Sequence, residues 1–136
     1  MVVVGAPASL QRFGTPGTMA ALAGHVRLGF GYARAVDGWP LREEGGGRVV
    51  VPASGRIQAS DGEALRHLAI DGAGLARLAA FTVRDDVAAG RWVPVLEHLN
   101  PGDREDFHAA FLGQGGPLPA RVRALLDFLA EAGRVG

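Results

Sequence analysis

The segment from Arg56 to Gly74 constrains the fold more than any other. Arg56-Ile57-Gln58-Ala59 reads as a strand, Ser60-Asp61-Gly62-Glu63 as a helix start, and Gly72-Ala73-Gly74 as a helix stop. Ser60 is the expected N-cap, because Glu63 follows it at capping-box spacing. Leu65, Leu68 and Ala69 fall at i, i+3 and i+4, which gives the helix one apolar face to bury. Gly72 offers the left-handed conformation that closes a helix. A strand feeding directly into a capped helix leaves backbone N–H groups at the end of a sheet, where α/β proteins hold small anions.

The remaining pattern repeats this alternation. Val2-Val3-Val4 reads as a buried strand, followed by a helical stretch over 8–13. Gly14-Thr15-Pro16-Gly17 is turn chemistry, and Thr18 caps a short helix ending at Gly24. Strands are expected at 26–30, 75–78, 92–96 and 107–112, with a short helix over 83–89 stopped by Gly90. Leu41-Arg42-Glu43-Glu44 and Arg48-Val49-Val50-Val51 flank Gly45-Gly46-Gly47 as a hairpin. A final helix opens at Pro119 and carries Val122, Leu125, Leu126 and Leu129 on one stripe before Gly133. Strands alternating with helices predict an α/β fold with a mostly parallel sheet.

Composition removes several function classes. Hydrophobic residues make up 48% of the chain, enough for a folded core. No apolar run approaches the ~18 residues of a membrane span, and no basic n-region precedes a secretory h-region, so a cytoplasmic location is expected. Cysteine is absent, and the histidines at 25, 67, 98 and 108 share no ligand spacing, so neither a metal nor a cofactor is expected. Gly29-x-Gly31 and Gly72-x-Gly74 are not nucleotide fingerprints. There is no Gly-x-Ser-x-Gly elbow; Glu43-Glu44 reads as a solvated hairpin and Asp85-Asp86 as a helix-dipole pair. No catalytic set remains, and the expectation is that the chain is not an enzyme. Formal charge is zero, 14 basic residues against 14 acidic, and every basic residue is arginine. A neutral chain without a basic stripe is a poor candidate to grip DNA unaided.

Four pieces, in order, resemble the effector-binding domain of LysR-type transcriptional regulators. They are the opening Met1-Val2-Val3-Val4-Gly5-Ala6-Pro7-Ala8-Ser9-Leu10, the Ser60 helix start, the stretch 81–96, and the close Leu118-Pro119-Ala120-Arg121-Val122-Arg123-Ala124-Leu125-Leu126-Asp127-Phe128-Leu129. The resemblance covers nearly all of the chain and implies a two-lobed, periplasmic-binding-protein-like domain of type II. Residues 1–136 would be part of that domain. About 25–100 would form a complete second lobe, with 1–24 and 101–136 as crossover segments and a remnant of the first lobe. No DNA-binding domain has a counterpart here, so the chain reads as a fragment of a longer regulator or a truncated gene product. DNA would be met only through a helix-turn-helix outside it. An incompletely covered first-lobe remnant implies self-association.

The function implied is sensing of a small metabolite, often anionic or aromatic, between the lobes. A solute-binding protein of the same fold serving a transporter is the alternative, and a small α/β enzyme the third reading. By resemblance, Ser60, Asp61 and Gly62 line the cleft, with Gly29, Phe30, Gly31 and Tyr32 beside them and the turn carrying Ala79 and Phe81 as a third edge. The bland readings are a helix cap for Ser60 and Asp61, a tight turn for Gly29 to Tyr32, and a core position for Phe81. Free N–H groups at the helix start favour an acidic ligand if Asp61 points outward; an inward Asp61 favours a hydroxylated or cationic one.

Overall fold

β1 (Val2–Gly5) organises the sheet, because its β-branched valines alternate between two buried faces. The structure is a computed structural model that describes residues 1–136 apart from 35, 106–107, 113–115 and 134–136. β1 lies between β6 (Ala76–Leu78) and β7 (Val93–Val95), antiparallel to both, with Val3 opposite Arg77 and Val95. β2 (Gly29–Phe30) pairs in parallel with β5 (Gln58–Ala59). The row continues from β2 toward β6 through Leu28 N donating to Leu75 O (2.8 Å) and Leu75 N to Val26 O (2.9 Å). Every strand of this row except β1 therefore runs one way. The expectation of a mostly parallel sheet holds with that correction, since hydrophobic alternation carries no information about direction.

Val3 faces a core cluster with Leu10, Leu22, Trp39, Leu41, Leu75, Val95, Leu96 and Leu99. It is covered by α1 (Pro7–Phe13), α2 (Met19–Ala23) and the hairpin of β3 (Trp39–Arg42) and β4 (Arg48–Val51). Thr18 caps α2 as expected, its hydroxyl oxygen accepting from Ala21 N at 3.1 Å. Val4 faces the second cluster, where α3 (Gly62–Ile70) inserts Leu65 and Ala69 and α4 (Ala80–Ala88) inserts Val83 against Leu28, Leu78 and Trp92. Each fully buried leucine of these clusters contributes about 1.5–3 kcal/mol.

Three expectations shift. α4 starts at Ala80 rather than 83, because Ala79 takes the N-cap position with no side-chain hydrogen bond and so leaves no mark in the sequence. Residues 108–112 form no strand, and Phe107 lies outside the described residues. β2, β5, β6 and β7 are each shorter than the segments expected for them, since the ladder pairing covers only part of each segment.

The chain divides into two compact units, Met1–Arg104 and Glu105–Gly136. The first contains everything above. The second holds α5 (Ala120–Ala132), which follows Pro119 and buries none of its residues; Leu125, Phe128 and Leu129 are exposed. Among the described residues, no helix is long and apolar enough to cross a membrane.

Candidate functional site

Parallel pairing brings the three expected segments to one end of the sheet. Gly31 N donates to Ala59 O at 3.0 Å, which carries the β2–β5 ladder one step further and sets Gly29 to Tyr32 beside Ser60. Gly62, at the start of α3, lies over the end of β6: a methyl there would meet Leu78 Cδ2 at 4.0 Å. Ala79 follows immediately and turns the chain into α4. These are carboxyl ends of like-directed strands, the usual ligand position in open α/β sheets. Gly29 is buried, Phe30, Gly62 and Ala79 are half-buried, and Gly31, Ser60 and Asp61 are exposed. Tyr32 is 51% exposed. Phe81 is 37% exposed, against the core position expected for it. Val83 takes the inward face of α4, and two residues along a helix point to nearly opposite sides.

The helix start differs from the expected capping box by one residue. Asp61 is the N-cap of α3: its Oδ1 accepts from Ala64 N at 2.8 Å, and Ser60 Oγ donates to its Oδ2 at 2.9 Å. A carboxylate is the stronger acceptor, so the neighbouring hydroxyl becomes its donor. Glu63 does not reach back to a cap; it pairs with Arg66 at 2.8 Å and lies 3.2 Å from His67 Nε2. The Ala64 N–H, followed by the Ser60 hydroxyl, holds the Asp61 carboxyl below its ordinary value. Donors expected to be free for an anion are thus partly occupied by the chain's own carboxylate.

Gly29 has a packing duty that the sequence reading assigned to ligand approach. A methyl added there would stand 2.4 Å from the Ala53 methyl.

A small groove beside this end of the sheet is lined by Phe30, Tyr32, Arg34, Trp39, Leu65 and Arg77 among others; of the expected site residues Gly29, Phe30 and Tyr32 line it, and Gly31, Ser60, Asp61, Gly62, Ala79 and Phe81 do not. The Phe30 and Tyr32 rings are tilted at 46° with centroids 5.2 Å apart, and the Arg34 guanidinium lies 4.7 Å over the Phe30 ring. Trp39 is fixed by its Nε1 donating to Leu28 O at 3.3 Å. Arg77, buried on β6, donates to the Asp103 carboxylate. Sequence reasoning missed Arg34, Trp39 and Arg77. Arg77 did carry a signal, as a charge inside the apolar run Leu75-Ala76-Arg77-Leu78.

Asp86 also corrects its first reading. It sits late in α4, its side chain is 1% exposed, and its two oxygens accept from Arg66 Nε and Arg91 Nε, each at 2.5 Å. The hydrogen bond from Arg66 is the main reason its carboxyl stays below the ordinary range, with Arg91 adding to it and burial opposing. The Arg66–Asp86 pair ties α3 to α4, and Asp86 lies near the C-terminal end of α4, where a helix dipole does not favour a carboxylate. Among the described residues, no group of three His, Asp or Glu side chains is placed to hold a metal ion.

The family model of the LysR substrate binding domain matches residues 1–134. The chain belongs to that family. Among its relatives, the HTH-type transcriptional regulator CrgA of Neisseria meningitidis is 33% identical over 129 residues, covering 95% of this chain and 42% of CrgA. The probable HTH-type transcriptional regulator LtrA of Klebsiella pneumoniae is 30% identical over 131 residues, 96% of this chain and 42% of LtrA. The chain thus spans well under half of these regulators. The solved regulatory domain of CrgA superimposes with a TM-score of 0.80 at 32% identity, over 96% of this chain and 62% of that domain. Full-length AphB of Vibrio cholerae gives 0.61 at 26%, over 71% of this chain and 32% of AphB. The α/β fold is therefore that of LysR regulatory domains, periplasmic-binding-protein-like of type II.

Proposed function

We propose that this LysR-family chain is the effector-sensing part of a bacterial transcription regulator, and that it binds a small molecule rather than catalysing a reaction. In this reading residues 25–100 are the second lobe, and 1–24 with 101–136 supply crossover segments and part of the first. Gly29 to Tyr32, Ser60 to Gly62, and Ala79 with Phe81 form one wall of the cleft. The observation that carries the reading is the gathering of these three segments at the carboxyl ends of β2, β5 and β6 in a chain of this family. A ligand on that wall alters DNA contacts only if it prefers one arrangement of the lobes over another. DNA itself is met through a helix-turn-helix elsewhere in the longer regulator, and the whole works in the cytoplasm, where the DNA is.

The test is a thermal-shift screen of metabolites against the full regulator. A bound effector at a hundredfold excess over Kd adds about 2.7 kcal/mol to stability. The reading expects an effector whose stabilisation is lost or reduced in Tyr32→Ala and Ser60→Ala. An effector whose stabilisation is untouched by both places the site elsewhere.

A further inference from the structure

The groove carries aromatic rings, and one of its two guanidiniums, that of Arg77, is paired within the chain. Phe30 and the half-exposed Tyr32 supply ring surface, and Trp39 and Leu65 line the groove as almost fully buried core residues. Of the two guanidiniums that line it, Arg77 donates to the Asp103 carboxylate and Arg34 lies over the Phe30 ring, and Asp37 lines the same groove with a negative charge. Arg34 spends one face on the Phe30 ring, 4.7 Å away, as a cation–π contact. At the neighbouring start of α3, the position favourable to an anion is filled by Asp61, which accepts from Ala64 N and from Ser60 Oγ. A second anion brought there meets like charge and finds two of the donors in use.

Resting on the sensing role proposed above, we infer that this wall takes a neutral, planar aromatic ligand in preference to an anionic one. The ligand's ring stacks against Tyr32 and Phe30, where offset or edge-on aromatic contacts are favourable. Tyr32, half exposed, is the side chain that can adjust to it without disturbing the core. The low pKa direction of Asp61 fits this, since its charge persists throughout the neutral range.

A matched pair of probes decides the point: 2-naphthamide and 2-naphthoate, which share a ring system and differ in charge. Each is titrated by ligand-observed NMR into the chain, into Tyr32→Ala and into Asp61→Asn. Asparagine is also a good N-cap, so the last variant removes charge and keeps the helix start. The amide is expected to bind about two- to fivefold more tightly than the carboxylate, with Asp61→Asn closing most of that gap. Tyr32→Ala is expected to weaken the amide at least about threefold, in line with the loss of one aromatic contact. Tighter, Tyr32-dependent binding of the carboxylate overturns the preference for a neutral ligand and leaves the sensing wall standing. Binding of both probes unaffected by Tyr32→Ala, or no binding of either, overturns the inference together with the wall.

Discussion

Substituting alanine at Gly29 separates a packing role from a ligand role. The added methyl would lie 2.4 Å from the Ala53 methyl, whereas carbon atoms in contact settle at ~3.5–4.0 Å. Ala53 has no side-chain torsion through which to yield, so β2 or the 52–54 segment has to move by about 1 Å. Gly29 is not among the glycines with positive φ, so backbone strain does not enter. Alanine in a strand is by itself favoured over glycine by about 0.5–1 kcal/mol, which opposes the clash. With no torsion at Ala53 to relieve the contact, overpacking costs about 2–3 kcal/mol, the upper part of its usual range, leaving a net loss of about 1–2.5 kcal/mol. For a unit of this size that is a fall in Tm of roughly 4–15 °C. Urea titration followed by tryptophan fluorescence measures it. Removing the opposing methyl should rescue the variant, so Gly29→Ala with Ala53→Gly is expected to show a coupling energy of about 1 kcal/mol or more. A Gly29→Ala chain as stable as the parent, or two changes that simply add, would refute the packing account and return Gly29 to the ligand.

Three further outcomes follow from the same reasoning. Asp86→Ala is expected to destabilise by about 1.5–3 kcal/mol, below the cost of stranding a buried charge because Arg66 and Arg91 both retain access to water. The folded-state pKa of Asp86 is depressed, so its contribution is fully present above the ordinary carboxylate value and lost as pH falls through the lower folded value; the gap between parent and variant in thermal melts should be constant near neutrality and shrink below pH 3.8. Gly38→Ala, at φ +132° with its new methyl 2.6 Å from Val51 O, should loosen the β3–β4 hairpin and cost about 1–3 kcal/mol in the same urea titration. The exposed Leu125 and Phe128 of α5 are expected to drive self-association, seen by light scattering at high micromolar concentration and reduced by Phe128→Glu; a monodisperse parent would contradict it.

Local rules were legible where side chains enforce them. Thr18, Gly72 and the Leu65/Ala69 face could be read directly because capping oxygens, glycine φ and helical spacing act within a few residues. Ser60 and Asp61 are both capping types, and their competition is settled by a hydrogen bond between them that no spacing rule encodes. The antiparallel direction of β1, the Arg77–Asp103 pair and the Arg66–Asp86 pair join residues far apart in the chain, so they required the fold. Residues 108–112, His-Ala-Ala-Phe-Leu, show the converse: a largely apolar stretch with no partner strand among the described residues makes no strand. The candidate wall was legible as three segments, whereas the groove's Arg34 and Trp39 were not, because the loop that bears them had no period to follow.

The central claim is that an effector meets the carboxyl ends of β2, β5 and β6. Amide chemical-shift mapping of the chain with an effector drawn from the thermal-shift screen tests it most directly. The largest shifts are expected at Gly29, Gly31, Tyr32, Asp61, Gly62 and Phe81, with the β3–β4 turn at Gly45 to Gly47 quiet. Shifts concentrated on that turn or on α1, with residues 29–32 and 60–62 unmoved, would contradict the account.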